Sequence, residues 1–266
     1  KDLSSAFNTP EAYYTPYGIT NPYWALANNY NHTDSKQIYG KLQADIKPIN
    51  DLTLTYRFGF DYTDHDIKRG MPRINLDDAL IENDFGYPPS SMNQDGWVYA
   101  RYGRSYELNH DFMANYTKKF IDNKLDLNVN AGVNINERSS TYMYGQSDVL
   151  TFETGYWDLS NGANWTSLVE GQSKRRLVGL FGDVTIGWEE MIFLNLTARN
   201  DWSSTLPIGN NSFFYPGATL SWLFSNQFFK DNDVFSFGKL RVAYGKTGSD
   251  ASPYYTSTSF TQAYAG

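Results

Sequence analysis

The residues of this 266-residue chain that are best suited to chemistry are not spaced as that chemistry requires. Its three histidines are His32, His65 and His110, and none has a partner at the spacing of a metal-ligand pair. The stretch Gly245-Lys-Thr247 resembles the end of a phosphate-binding loop, but that motif needs a glycine where this chain has Leu240. The sequence therefore predicts neither a metal site nor a nucleotide site.

Three other motifs also depart from the pattern that would make them reactive. Gly145-Gln-Ser-Asp-Val149 lacks the last glycine of a nucleophile elbow. Asp231-Asn-Asp233 lacks the later glycine and glutamate of a calcium loop, and Glu189-Glu190 is interpreted as a solvated turn. The chain has no cysteine, which excludes disulfides, thiolate ligands and cysteine nucleophiles. We therefore expect a protein that is not an enzyme and that needs no cofactor.

Aromatic residues in polar stretches are the remaining candidates for a functional site. Flat aromatic faces beside amide and carboxylate groups grip sugar rings through apolar contact and hydrogen bonds. Alternatively, such residues pin loops to each other or to a lid protein, because Trp and Tyr are enriched at protein interfaces. The candidates for substrate or lid contact are Trp97, Tyr99, Tyr102, Trp157 and Trp165.

The composition narrows the class of protein that must position these residues. Aromatic residues make up 17% of the chain, which favours strands, and the formal net charge of -7 gives no basis for a nucleic-acid partner. No run of 18 apolar residues occurs, so the sequence predicts no transmembrane helix. The mean hydropathy of -0.54 would suit a soluble protein, but transmembrane strands that alternate apolar and polar residues also average out as polar.

Two stretches alternate with the period of a β-strand. In residues 52–62 the even-numbered side chains are apolar, while Arg57 and Asp61 lie on the opposite face. Residues 125–136 repeat the pattern. Both exceed an ordinary globular strand and match the roughly 9–11 residues that cross a bilayer at a tilt.

Six further strands complete a prediction of about eight. They lie near residues 37–47, 104–119, 173–188, 191–201, 212–222 and 238–246. In the strand at 191–201, Arg199 and Asp201 share the polar face. We predict that Arg57, Asp61, Arg199 and Asp201 face the lumen of a barrel.

The connections between these strands alternate between tight turns and long loops. The turns are at 48–51, 121–124 and 189–190, and the loops are at 64–103, 139–172 and 202–211. Soluble domains rarely contain such long structureless connections, whereas outer-membrane barrels have short periplasmic turns and long extracellular loops. The pattern predicts an all-β, antiparallel, up-and-down transmembrane β-barrel.

Eight strands need not close a barrel by themselves. Open sheet edges cannot face lipid, and no terminal aromatic strand follows residue 246. We therefore expect residues 1–266 to form part of one larger transmembrane barrel domain. No signal peptide precedes Lys1, which fits either a processed chain or a segment from within a longer protein.

Four stretches resemble the SusC/RagA family of TonB-linked outer-membrane proteins. They are Asn21-Pro-Tyr-Trp24, residues 196–207 (LTARNDWSSTLP), residues 212–224 (SFFYPGATLSWLF) and residues 238–248 (GKLRVAYGKTG). Their order and spacing also resemble the middle-to-late barrel of that family. The resemblance spans essentially the whole chain and is weakest in the loops at 64–103 and 139–172.

The resemblance implies a barrel of about 22 strands in the outer membrane of a Gram-negative bacterium, with a plugged lumen. It also implies coupling to the TonB–ExbB–ExbD complex, a SusD-like lipoprotein as lid, and an oligosaccharide or peptide as cargo. We find no plug, TonB box or closing C-terminal strands in this sequence. Two alternatives remain: a non-transporting barrel that serves as an adhesin or structural protein, and a soluble carbohydrate-binding β-domain.

Overall fold

The computed structural model describes residues 22–74, 94–152, 155–228 and 237–256. Within these ranges the chain forms two short α-helices, one 3-10 helix at Leu159–Asn161 and eight strands. The α-helices and strands are α1 (Pro22–Asn28), β1 (Tyr30–Ile49), β2 (Leu52–Met71), β3 (Trp97–Phe120), β4 (Leu125–Leu150), β5 (Gly162–Trp188), β6 (Ile192–Ser203), β7 (Ser212–Trp222), α2 (Ser225–Phe228) and β8 (Leu240–Gly245). None of these helices is long and apolar enough to cross a membrane.

All eight strands form one sheet in the order β1-β2-β3-β4-β5-β6-β7-β8. Each strand pairs with its neighbours in the chain, and the registers from β5 to β8 are antiparallel. This arrangement confirms the predicted all-β, up-and-down topology. The helix α1 was not predicted.

The tight turns lie where the alternation ends. β3 and β4 are joined by residues 121–124, and β5 and β6 by residues 189–191. Glu189 and Glu190 have φ values of 50° and 56°, as both central residues of a type I′ hairpin turn require. Such turns match the twist of the flanking strands, which is why the chain reverses within so few residues.

Several strands are longer than predicted. β2 continues to Met71 and β4 to Leu150, while β3 begins at Trp97 and β5 at Gly162. The predicted loop at 64–103 therefore shrinks to residues 72–96, of which 75–93 lie outside the described residues, and the loop at 139–172 shrinks to 151–161. Polar side chains on both faces hide these extensions from a search for alternation, although the backbone pairing continues.

The contacts divide the chain into two compact units. The first unit is Lys1–Gln37, Thr63–Ser105 and Ser140–Gln172, and the second is Ile38–Tyr62, Tyr106–Ser139 and Ser173–Gly266. The buried hydrophobic residues of the described ranges all belong to the first unit: Trp24, Ile74, Val98, Ala100 and Leu150. The first unit thus has a small apolar core of its own.

In the second unit, large apolar side chains that are exposed form rows on one face of the sheet. Leu194 is opposite Leu220, which in turn is opposite Val242; Leu220 is 49% and Val242 63% exposed. The next row runs from Trp188 through Ile192 and Trp222 to Leu240. Leaving such surface in water forfeits roughly 25 cal/mol per Å². This face therefore requires apolar surroundings.

The segment that follows β8 is held by a partly buried carboxylate. Asp250 accepts two parallel hydrogen bonds from Arg175 on β5, at 2.9 and 2.8 Å, and one from the Ser203 hydroxyl at 2.5 Å. Thr205 donates another at 3.2 Å. Burial alone would raise the pKa of Asp250, but the hydrogen bonds from Ser203, Arg175 and Thr205 outweigh it and hold that pKa below 3.8. We call these four residues the Asp250 clamp.

The faces of β2 provide a first test. Leu54 lies on the apolar face and is 41% exposed, whereas the Thr55 hydroxyl donates to Asp45 at 2.5 Å on the polar face. Leu54→Arg should block membrane assembly, because a cation near the bilayer midplane costs on the order of 2–4 kcal/mol. Thr55→Arg should assemble, since it adds a cation beside a carboxylate. Heat-modifiable migration of the two variants on gels reports assembly, and equal assembly would contradict the assigned faces.

The Asp250 clamp predicts pH dependence. Because the pKa of Asp250 is lowered in the folded protein, its contacts stabilise the docked segment above about pH 4, and this stabilisation is lost as the pH falls through the folded-state pKa. A spin label attached to Ser252→Cys would report on this segment alone, since the chain has no native cysteine that could also be labelled. The label should become mobile on acidification, and Asp250→Asn should mobilise it at neutral pH. A label that stays as immobile in Asp250→Asn as in the parent protein at neutral pH would refute the clamp.

Candidate functional site

The polar face of the second unit carries a network of amides and carboxylates. Asn134 donates to Asp111 at 2.6 Å, and Asn136 donates to Glu107 at 2.6 Å. Further along the same two strands, Asn115 donates to Asn130 at 2.5 Å. Asparagine offers both a donor and an acceptor, so alternate positions of β3 and β4 form a continuous hydrogen-bonding surface.

The predicted lumen-facing residues lie on β2 and β6 at alternating positions. The Arg57 Nε donates to Gln43 at 3.3 Å, and its guanidinium lies 4.0 Å from Asp111. The Arg199 Nε donates to Asp201 at 2.7 Å. Asp61 lies in β2 and has the same parity as Arg57. Each of these arginines is therefore paired with an acceptor.

Arg199 is further positioned by its neighbours across the sheet. Its guanidinium carbon is 5.8 Å from the centre of the Phe181 ring, and Phe181 is its direct partner on β5. Gly179 is opposite Asp201, and a side chain at Gly179 would overlap the Arg199–Asp201 pair. The glycine thus leaves room for this ion pair.

The first unit contains a cluster of tyrosines on neighbouring strands. The ring centres of Tyr99 and Tyr144 are 5.7 Å apart, and those of Tyr142 and Tyr144 are 6.2 Å apart. The Arg101 guanidinium lies 4.7 Å above the Tyr142 ring, within cation–π distance. We call Tyr99, Tyr142 and Tyr144 the tyrosine cluster. It combines flat apolar faces with phenolic hydroxyls and one cation.

A second feature of the first unit is an acidic cleft of about 430 Å³. Tyr102, which is 43% exposed, lines it. The charged residues in its wall are Asp64, Asp66, Arg104 and Glu170. With three carboxylates and one guanidinium, the cleft favours hydrogen-bond donors and cations over anions.

The structure separates the five predicted aromatic residues. Trp97, Tyr99 and Tyr102 lie in β3 and Trp165 lies in β5, so the prediction that these four occupy loops is wrong. These strands extend further than the apolar alternation, as described above. Trp157 does lie in a loop. Trp165 is 59% exposed and passes close to Gly145.

The Trp157 side chain packs against neighbouring residues instead of projecting from its loop. Its ring stacks on Tyr30 at 5.6 Å with an interplanar angle of 11°, and it lies so close to Gly70 that any side chain there would overlap it. Next to it, Asp158 is 3.7 Å from the Lys68 ammonium and accepts a hydrogen bond from the Ser160 backbone N–H at 3.0 Å. These contacts favour the interpretation that Trp157 pins the loop.

Tyr142 and Tyr144 were missed by sequence reasoning. They stand two residues apart, the spacing that places side chains on one face of a strand, in a stretch predicted as loop. That spacing was the available signal. No group of three or more His, Asp or Glu side chains in the described ranges is arranged to hold a metal ion. His110 instead shares a 2.9 Å hydrogen bond with the Tyr56 hydroxyl.

Comparisons with known proteins agree on the class. No protein-family model matches the chain. The TonB-dependent receptor P3 of Formosa agariphila is 25% identical over 252 residues, which cover 93% of this chain and 24% of the receptor. The TonB-dependent receptor P26 of the same organism is 23% identical over 241 residues, which cover 89% and 23%. The chain thus spans about a quarter of the length of these relatives.

Solved structures agree on the fold. The RagAB peptide importer in its closed-closed state matches 91% of this chain and 25% of its own chain, with a TM-score of 0.75 and 23% identity. Another structure of the RagAB peptide transporter covers 88% of this chain with a TM-score of 0.72. The eight-stranded sheet therefore has the fold of the matching segment of these solved structures. The chain is therefore similar in sequence to a segment of TonB-dependent receptors and in fold to a segment of the RagAB structures, which agrees with the predicted resemblance to the SusC/RagA family.

Proposed function

We propose that this chain is part of the barrel of a TonB-dependent outer-membrane importer that takes up a bulky oligosaccharide or peptide. The observation that carries the proposal is the two-faced sheet of the second unit. Its exposed apolar face suits lipid, and its amide-rich polar face suits a hydrated lumen. On this proposal residues 1–266 belong to one transmembrane barrel domain, and Arg57, Asp61, Arg199 and Asp201 contact whatever fills the barrel.

The cargo class follows from the groups available to bind it. The tyrosine cluster and Trp97 provide aromatic faces, and Arg101 provides a cation and hydrogen-bond donors. Sugars and peptides both present apolar patches beside hydrogen-bonding groups. The RagAB structures are named for peptide import, which supports the peptide alternative.

The same proposal includes partners beyond this chain. A SusD-like lipoprotein would cover the extracellular mouth, and the TonB–ExbB–ExbD complex would supply the energy for import. The relatives' designation as TonB-dependent receptors supports the second partner. A non-transporting adhesin or structural barrel would use the same strands, but it would require neither partner for its activity.

Orientation in the membrane can be tested with single cysteines, because the native chain has none. Two variants should react with an impermeant maleimide on intact cells. They are Ser160→Cys in the β4–β5 loop and Ile208→Cys in the β6–β7 loop, where Ile208 is fully exposed. Asn123→Cys in the β3–β4 turn should react only after the outer membrane is permeabilised. The reverse pattern would invert the topology.

Cargo binding can be tested on the aromatic residues. Trp97→Ala and Tyr144→Ala should each weaken binding about tenfold, because losing one desolvated aromatic face costs roughly 1.5–3 kcal/mol. Phe152→Ala removes a 61% exposed aromatic outside the tyrosine cluster and serves as the matched control. Binding to the purified protein and growth on the cargo are measured together.

The outcomes of that experiment separate import from its alternatives. Trp157→Ala should loosen the β4–β5 loop, seen as faster proteolysis near residue 157, with a smaller effect on binding. If Trp97→Ala and Tyr144→Ala bind and import normally while a lipoprotein no longer co-purifies, the aromatic residues serve the partner interface. If deleting TonB leaves uptake unchanged, the import proposal is wrong.

A further inference from the structure

The apolar face of the second unit is not uniform, because it contains a trough of about 520 Å³. Small side chains form its floor, among them Ala44, Ala114 and Ala131. Larger ones form its walls, among them Tyr56, Phe112 and Leu180, of which Phe112 and Leu180 are about half exposed. A concave apolar surface on a lipid-facing wall fits a hydrocarbon chain better than a flat wall does.

Two cations lie on the same face beyond the end of the trough. The Lys174 ammonium is 2.9 Å from Glu137, and the Arg176 Nε donates to the same carboxylate at 3.0 Å. The side chains of Lys174 and Arg176 are 47% and 57% exposed, whereas Glu137 is 15% exposed. Tyr106 donates a further hydrogen bond to Glu137 at 3.1 Å. Two exposed cations share one partly buried carboxylate, which leaves one excess positive charge at this site.

Strand parity places trough and cations on one face. On β4, Ala131 and Glu137 are both odd-numbered, and on β5, Leu180 and Arg176 are both even-numbered. Glu137 lies four positions along β4 from Val133, which is in the trough, a distance of about 13 Å. An elongated molecule can therefore contact both.

The cations also lie at the depth of a lipid headgroup. Glu137 is twelve residues beyond the start of β4 at Leu125, and Arg176 is twelve residues before the end of β5 at Trp188. Twelve residues tilted by about 45° rise roughly 28 Å, close to the thickness of the hydrocarbon core. The cations therefore stand at the interface opposite the tight turns.

We infer that the second unit carries a binding site for an anionic, phosphate-bearing lipid, with an acyl chain in the trough and the phosphate against Lys174 and Arg176. Arginine and lysine are the usual phosphate-binding side chains, and charge complementarity selects an anionic over a zwitterionic headgroup. Glu137 holds both cations in place and competes with the phosphate for them. The proposal depends on the outer-membrane location and not on import.

The test uses the protein with the whole chain that its gene encodes, purified in a mild detergent. It is mixed with phosphatidylglycerol or with phosphatidylcholine of the same acyl chains, and native mass spectrometry measures the lipid retained. Phosphatidylglycerol should be retained in preference. Lys174→Gln and Arg176→Gln should each lower its retention about fivefold. Glu137→Gln should raise retention, because it frees both cations.

Two controls separate the headgroup from the chain. Ala131→Phe fills the trough and should lower retention of both lipids, while Lys119→Gln, which removes a cation paired with Asp126 near the tight turns, should leave retention unchanged. Three results would each overturn the proposal. They are equal retention of the two lipids, unchanged retention in the Lys174 and Arg176 variants, and displacement of the lipid by inorganic phosphate at the lipid's own concentration. Uptake is not measured, so a failed import proposal would leave this result standing.

Discussion

Alternation of apolar and polar side chains along the strands of the second unit is the constraint on which the rest of the structure depends. Leu196 and Leu220 are almost half exposed, and the described residues of this unit bury no large hydrophobic side chain to offset that exposure. In water such a sheet would be poorly stabilised, whereas lipid removes the cost. Hydrogen bonding between neighbouring strands satisfies the backbone, which no water could do inside the bilayer.

The first unit meets a different requirement and uses the same residue types differently. It buries Ile74, Val98 and Leu150 in an apolar core of its own, which removes these side chains from water. Its aromatic residues therefore divide by environment. The Trp157 ring packs on Tyr30 and Gly70. The rings of the tyrosine cluster contact each other and the neighbouring Arg101 guanidinium. On the proposed function, the tyrosine cluster is the part of this unit that would contact a cargo.

The sequence predicted the strand bounds accurately where one face of the strand is apolar. It predicted them inaccurately where neither face is apolar. The strand at 212–222 and the turn at 121–124 were predicted with the bounds that the structure has. The sequence predicted β4 only as far as residue 136, because polar side chains occupy both faces of the strand beyond that residue. The Arg175–Asp250 pair joins residues 75 positions apart, and the local sequence gave no signal for it. Tyr142 and Tyr144 were missed because their stretch was taken as a loop.

The central claim is that one face of the second unit lies in lipid and the other in water. Spin labels placed singly along β6 at positions 194 to 197 measure this directly, through their collision rates with dissolved oxygen and with a water-soluble nickel chelate. The account predicts high oxygen and low nickel accessibility at Leu194 and Leu196, and a lower ratio of oxygen to nickel accessibility at Asn195 and Thr197. Equal accessibility at all four positions, or dominance of nickel throughout, would contradict it.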